Sequence, residues 1–169
     1  ICQNMGVDEA DFYEAIASFK GASKRLEKIA EGKGKVAYKD FAHSPSKVAA
    51  TTKAVKEQYP DRTLVACLEL HTYSSLNAEF LKEYEGALEY ADVAVVFYSP
   101  DAVKIKQLEE VTYEQIAKAF NREDLIIYTN PAEFKTFLFN QNLENSALLL
   151  MSSGNYGGLN FDEVKNLML

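Results

Sequence analysis

Apolar residues in this chain follow two different rhythms. Consecutive apolar runs at 63–70, 92–97, 125–129 and 147–152 are separated by stretches in which apolar positions recur every three or four residues. Unbroken runs predict strands buried on both faces, and the three-and-four spacing predicts helices that lay one stripe against them. Three of these helices carry start signals. Ser44-Pro45 precedes Val48 and Val55, Asn77 precedes Leu81, Tyr84 and Leu88, and Asn130-Pro131 precedes Phe134 and Leu138. A last helix carries Phe161, Val164 and Leu167. Near the start, Asp8 can cap a helix over residues 8–19, with Asp11 in its first turn and Phe12, Ile16 and Phe19 on one face. Two short strand-like runs, 25–29 and 36–41, flank Gly32-Lys33-Gly34 and suit a hairpin.

Strands alternating with helices over most of the chain imply βαβ units with right-handed crossovers. The predicted fold class is therefore α/β, a Rossmann-like open and mostly parallel sheet with helices on both faces, preceded by an N-terminal antiparallel hairpin. The 169 residues suffice for one domain with a full core but not for two large ones.

Charge narrows the partners. With 18 Lys and Arg against 25 Asp and Glu the net charge is −7, and no cluster of basic residues interrupts it. Such a chain repels phosphodiester backbones and anionic lipid, so neither nucleic acid nor a membrane surface is an expected partner. The apolar runs fall short of the roughly 20 residues that cross a bilayer, and no signal peptide is apparent. Two cysteines, Cys2 and Cys67, make no disulfide framework, which fits a reducing cytoplasm. The chain opens Ile1-Cys2-Gln3-Asn4 without an initiator Met, so it is expected to be a piece of a longer protein.

In open α/β sheets ligands bind beyond the carboxyl ends of the strands, and here those ends are polar. The second hairpin run is followed by Asp40-Phe41-Ala42-His43-Ser44-Pro45, and the run at 63–70 leads into His71-Thr72-Tyr73-Ser74-Ser75. Tyr98-Ser99-Pro100-Asp101 follows the third, and Ser152-Ser153-Gly154-Asn155-Tyr156-Gly157-Gly158 the last. Both histidines of the chain thus lie on one edge. Ser44 and Pro45 are also an ordinary helix start, Asp40 an ordinary edge residue, and the histidines ordinary loop hydrogen-bonders. The glycine-containing loop at 153–158 is either an anion-binding loop or a plain turn.

Several chemistries lose ground. The histidines are 28 residues apart in sequence without neighbouring cysteines, which is not metal-ligand spacing, and there is no G-x-S-x-G elbow. Neither a G-x-G-x-x-G fingerprint nor a complete phosphate-binding P-loop is present, since Gly32-Lys33-Gly34-Lys35 lacks the upstream glycine and the hydroxyl residue. From residues alone, no catalytic residue and no metal ligand is assigned.

Three segments in order nevertheless resemble the carboxy-terminal domain of the Mur ligases, ATP-dependent amide-forming enzymes of peptidoglycan assembly. Phe19-Lys20-Gly21-Ala22-Ser23-Lys24-Arg25-Leu26-Glu27 is similar to the family's F-x-G-x-x-x-R-x-E stretch, and Asp40-Phe41-Ala42-His43-Ser44-Pro45 to its D-[YF]-A-H-x-P motif. Met151-Ser152-Ser153-Gly154-Asn155-Tyr156-Gly157-Gly158 is similar to the M-S-N-G-x-F-G-G of the branch that recycles murein tripeptide.

The resemblance implies a domain division, with residues 1–24 the tail of a central ATPase domain and its linker and 25–169 the closing domain. It implies ATP and magnesium in the complete enzyme, neither held by this piece alone, because the P-loop and magnesium ligands belong to the missing central domain. It implies UDP-N-acetylmuramate or a muropeptide, with an amino acid or peptide, as partners. Arg25, Asp40 and His43 are expected near the nucleotide. His71, Tyr73, Tyr98, Asp101, Ser152, Ser153, Gly154 and Asn155 are expected to face the incoming amine substrate. Two departures leave that substrate open. Leu70-His71-Thr72 replaces the Pro-His-Arg of alanine-joining relatives, and Tyr98-Ser99-Pro100-Asp101 lacks the Asn-Pro-Arg that grips diaminopimelate. A stand-alone nucleotide- or anion-binding module is the alternative reading.

Overall fold

The computed structural model describes residues 1–18, 24–109 and 111–169. Its centre is a six-stranded sheet in the order β1-β2-β6-β3-β4-β5, formed by β1 (Glu27–Gly32), β2 (Lys35–Asp40), β3 (Thr63–Leu70), β4 (Val93–Tyr98), β5 (Ile126–Tyr128) and β6 (Ser146–Met151). Only β1 and β2 pair antiparallel; every other pairing is parallel. The hairpin turns at Lys33-Gly34, where Gly34 has φ +72°; β1 begins two residues and ends three residues later than expected, and β2 lies one residue earlier.

The apolar runs became strands for the predicted reason. All six residues of β6 and seven of the eight in β3 are buried, as expected for strands covered on both faces. Alternate residues serve opposite cores. Val36, Tyr38, Leu64, Ala66 and Leu68 meet residues of α2 (Pro45–Gln58), α3 (Ala78–Leu81), α4 (Pro100–Ile105) and α5 (Tyr113–Phe120). On the other face Ala37, Val65, Cys67, Phe97, Leu148 and Leu150 meet Phe134 and Leu138 of α6 (Pro131–Asn140) and Val164 and Met168 of α7 (Phe161–Met168).

Local signals fixed the helix starts. Asn77, Asn130 and Asn160 each accept a backbone N–H of the following turn, and Asp8 accepts that of Asp11 at the start of α1 (Glu9–Ala17). Pro45 begins α2 as expected, yet the Ser44 hydroxyl makes no capping bond. The expected helix after Asn77 is cut short: α3 tightens into a 3₁₀ turn over Lys82–Tyr84, and Gly86 at φ +71° ends it. Tyr84 in that turn and Leu88 beyond it still reach the core. Phe19, expected to close α1, lies outside the described residues.

Two helices were not foreseen. Ser99 caps α4 behind Pro100, and α5 opens with a full capping box, in which Thr112 accepts from the Gln115 N–H and Gln115 accepts from the Thr112 N–H. Thr112→Ala is expected to cost about 1 kcal/mol and lower Tm by roughly 2–4 °C, read by thermal denaturation with circular dichroism.

Candidate functional site at the carboxyl edge of the sheet

The strand order places the site. The helix after β2 and those after β3 and β4 lie on one face, whereas α6 and α7, before and after β6, lie on the other. Chain segments leaving β6 and leaving its neighbours β2 and β3 therefore diverge, and the crevice beyond their carboxyl ends is the position where open α/β sheets take ligands. The register brings Asp40, Met151 and Leu68 level across these three strands.

Asp40 closes the β2 side. One carboxylate oxygen accepts the Ala42 N–H at 2.6 Å and the other the Leu26 N–H, which reaches it from the segment before β1. The Phe41 N–H donates to the Lys24 carbonyl at 2.7 Å, so the same segment is tied twice. Lys24 and Leu26 adopt positive φ, +56° and +44°, a conformation unfavourable for residues with a side chain and held here by these bonds. Arg25, between them, is exposed. His43 donates through Nδ1 to the Phe41 carbonyl at 2.8 Å, since a carbonyl only accepts. Its ring lies edge-on to that of Phe41, with centroids 5.1 Å apart, and its own carbonyl accepts the Tyr84 hydroxyl. Burial pushes the Tyr84 phenol above its ordinary pKa, which keeps it a donor.

The β6 side is organised by a residue the sequence reading left without a role. Glu69, on β3, is 3% exposed. Its Oε2 accepts the Ser152 hydroxyl and, at 2.8 Å, the Tyr156 N–H, while Oε1 lies 3.6 Å from Nδ1 of His71. The Gly154 N–H donates to Ser152 Oγ at 2.6 Å. A methyl group on Gly154 would stand 2.9 Å from Glu69 Oε2 and 2.9 Å from Cγ of His71, so only glycine fits. Tyr156 is buried; its hydroxyl lies 2.7 Å from the Cys67 carbonyl and 2.8 Å from that of Met151, and its ring stacks on Phe134 at 5.0 Å. Burial raises the Tyr156 phenol well above its ordinary value and also raises the Cys67 thiol, so neither ionises at neutral pH.

The open choice between anion loop and turn at 153–158 thus meets a definite geometry. The N–H groups of Gly154 and Tyr156 go to Ser152 and Glu69, and that of Gly158 to Asn155. The one carboxylate among these acceptors, that of Glu69 on the Tyr156 N–H, is the protein's own. Ser153 Oγ is shielded and has no hydrogen-bond partner among the described residues, whereas Asn155 is exposed.

The other expected substrate residues divide. Tyr73 is 65% exposed beneath Lys106, whose Nζ lies 5.3 Å from the ring centroid, and the imidazole of His71 is partly exposed. Asp101 is exposed in the first turn of α4, a favourable place for an acid whatever else it does. Tyr98 is buried, with its hydroxyl on the Val111 carbonyl at 3.0 Å, and so forms part of the wall. Among the described residues no group of three or more His, Cys, Asp or Glu side chains could hold a metal ion, and no helix is long and apolar enough to cross a membrane.

Residues 24–154 match the family of Mur ligases described as the glutamate ligase domain. The chain belongs to the Mur ligase family. It is 28% identical over 127 residues to the UDP-N-acetylmuramate–L-alanine ligase of Lactococcus lactis subsp. cremoris, an alignment covering 75% of this chain and 28% of that enzyme. The murein peptide ligase of Psychrobacter arcticus shares the fold, with a TM-score of 0.69 at 20% identity over 99% of this chain and 34% of that one. A domain from a putative UDP-N-acetylmuramate:L-alanyl-γ-D-glutamyl-diaminopimelate ligase of Haemophilus ducreyi, solved as a separate piece, gives a TM-score of 0.55 at 23% identity, covering 85% of this chain and 97% of that one. The Mur ligase chain described here spans between a quarter and about a third of the Lactococcus and Psychrobacter proteins.

Proposed function

We propose that this chain is the closing domain of a cytoplasmic, ATP-dependent ligase that joins an amino acid or peptide to UDP-N-acetylmuramate or a muropeptide. The observation that carries the reading is the family match over residues 24–154 combined with the gathering of the D-[YF]-A-H-x-P segment and the glycine loop on either side of one crevice. In this reading residues 1–24 are the end of the ATPase domain and its linker. The apolar residues Phe12, Tyr13 and Ile16 of α1 are 38–59% exposed, a surface suited to a preceding domain.

Amide formation of this kind proceeds through an acyl phosphate: a substrate carboxylate takes the γ-phosphoryl group, the amine attacks the acyl carbon, and phosphate leaves from the tetrahedral intermediate. Most of the protein's contribution is positioning and charge stabilisation. Arg25, Asp40 and His43 are assigned to the nucleotide. Asp40 retains lone pairs for a ribose hydroxyl beyond the two N–H groups it already accepts. With His43 Nδ1 engaged by the Phe41 carbonyl, Nε2 is the ring nitrogen left for the nucleotide. His71, Tyr73, Asp101, Ser152, Ser153, Gly154 and Asn155 are assigned to the amine substrate, with Tyr98 behind them. ATP and magnesium are reactants of the complete enzyme.

The test is phosphate release by the full-length protein from ATP. Release that requires both a UDP-N-acetylmuramoyl compound or muropeptide and an amine partner supports the reading, and release indifferent to both overturns it. Isothermal calorimetry of the 169-residue chain alone is expected to show no ATP binding tighter than millimolar, since the triphosphate site lies elsewhere. Tight binding to the isolated chain favours the stand-alone nucleotide module.

A further inference from the structure

Glu69 is the one acidic side chain buried within an otherwise apolar stretch of β3, and nothing about the strand requires it there. Burying a carboxylate is costly unless donors surround it. Here two donors do so, and both come from the loop after β6: the Ser152 hydroxyl and the Tyr156 N–H. The Ser152 oxygen then holds the Gly154 N–H at 2.6 Å, so the loop turns around a single anchor. On its other oxygen, 3.6 Å away, stands the half-exposed imidazole of His71, packed so closely over Gly154 that no side chain fits between them.

We infer that Glu69 is a positioning residue for the amine-substrate side of the site: through one oxygen it fixes the Ser152–Tyr156 loop, and through the other it orients His71 toward the crevice. The inference rests on the reading under Proposed function only for the identity of the substrate. Glu69 itself is buried and does not touch ligand. The exposed group it governs is His71, an imidazole able to bind a substrate carboxylate, beside a loop whose Gly154 and Tyr156 N–H groups are already taken by the Ser152 hydroxyl and the Glu69 carboxylate. An anion entering the crevice therefore meets His71, and not the amides of Gly154 and Tyr156.

Two variants separate the two arms. Glu69→Gln keeps one acceptor oxygen for Ser152 and Tyr156 but places a neutral amide beside His71, whereas Glu69→Ala removes both contacts. In hydrogen exchange on the 169-residue chain, the Gly154 and Tyr156 amides of Glu69→Ala are expected to exchange at least tenfold faster, with those of Glu69→Gln within about threefold of wild type. The β3 and β6 amides report whether the fold survives. In the full-length ligase, Glu69→Gln is expected to raise KM for the amine substrate about tenfold while KM for ATP stays within twofold. Unchanged Gly154 and Tyr156 exchange in Glu69→Ala overturns the loop arm. A fall in kcat with all KM values unchanged in Glu69→Gln overturns the His71 arm. If wild-type protein shows no ligation at all, the functional reading falls, and the exchange data still decide whether Glu69 fixes the loop.

Discussion

Replacing Tyr156 by alanine is expected to destabilise the domain by about 3–5 kcal/mol, the cost of deleting a large aromatic ring from a closed core. Total stabilities of domains this size are about 5–15 kcal/mol, so this one change removes a large part of the margin. The ring is stacked on Phe134, lies 5.9 Å from Phe97, and fills the space between α6 and the carboxyl ends of β3 and β6. Tyr156→Phe keeps all of that and loses only the hydroxyl between the Cys67 and Met151 carbonyls, for an expected cost of about 1–2 kcal/mol. Urea denaturation measures both, with a lower midpoint at unchanged slope. Equal costs for the two variants would mean that the hydroxyl, and not the ring, secures the loop. The glycine motif that this segment resembles carries Phe at this position, which agrees with the ring as the larger contribution.

The same residue shows what a linear pattern can and cannot convey. The strands of the central sheet were legible because continuous apolar runs leave few other structures available, and β3 matches its predicted limits residue for residue. The gathering of the Asp40, His71 and Ser152 segments was legible too, because a mostly parallel sheet puts all its carboxyl ends on one edge. Helix α5 was readable and was passed over: Thr112 and Gln115 stand at capping-box spacing ahead of Ile116, Ala119 and Phe120. The shortening of the helix after Asn77 was less accessible, since Tyr84 and Leu88 keep helical spacing while the backbone between them does not.

Contacts across long sequence distances were not legible. Nothing near Glu69 in the sequence gives it a role, because its donors, Ser152 and Tyr156, are 83 and 87 residues away. Tyr98 looked available to substrate because nothing local announces that the Val111 carbonyl takes its hydroxyl. In both cases the deciding partner is set by packing between elements, which periodicity does not encode.

Asp40→Ala carries the other large expected effect, and the structure changes what that variant tests. The family resemblance implies a ribose contact at Asp40, so that alanine there weakens ATP use and leaves the fold intact. The carboxylate, however, also accepts the N–H groups of Ala42 and Leu26, and the second of these bonds helps hold the positive φ angles at Lys24 and Leu26. Hydrogen bonds to a charged group contribute about 1.5–3 kcal/mol each, so alanine should loosen the segment entering β1 as well as vacate the ribose contact. The expected result in the full-length protein is a rise of at least tenfold in KM for ATP. In the 169-residue chain it is accelerated exchange of the Leu26 and Ala42 amides, with the β2 and β6 amides protected. Asp40→Asn separates the roles: it keeps an acceptor for one backbone N–H and loses the charge. If Asp40→Asn restores amide protection but not ATP affinity, the carboxylate acts on the nucleotide directly. If it restores both, Asp40 works by holding the entry to the domain in place, and the ribose assignment is wrong.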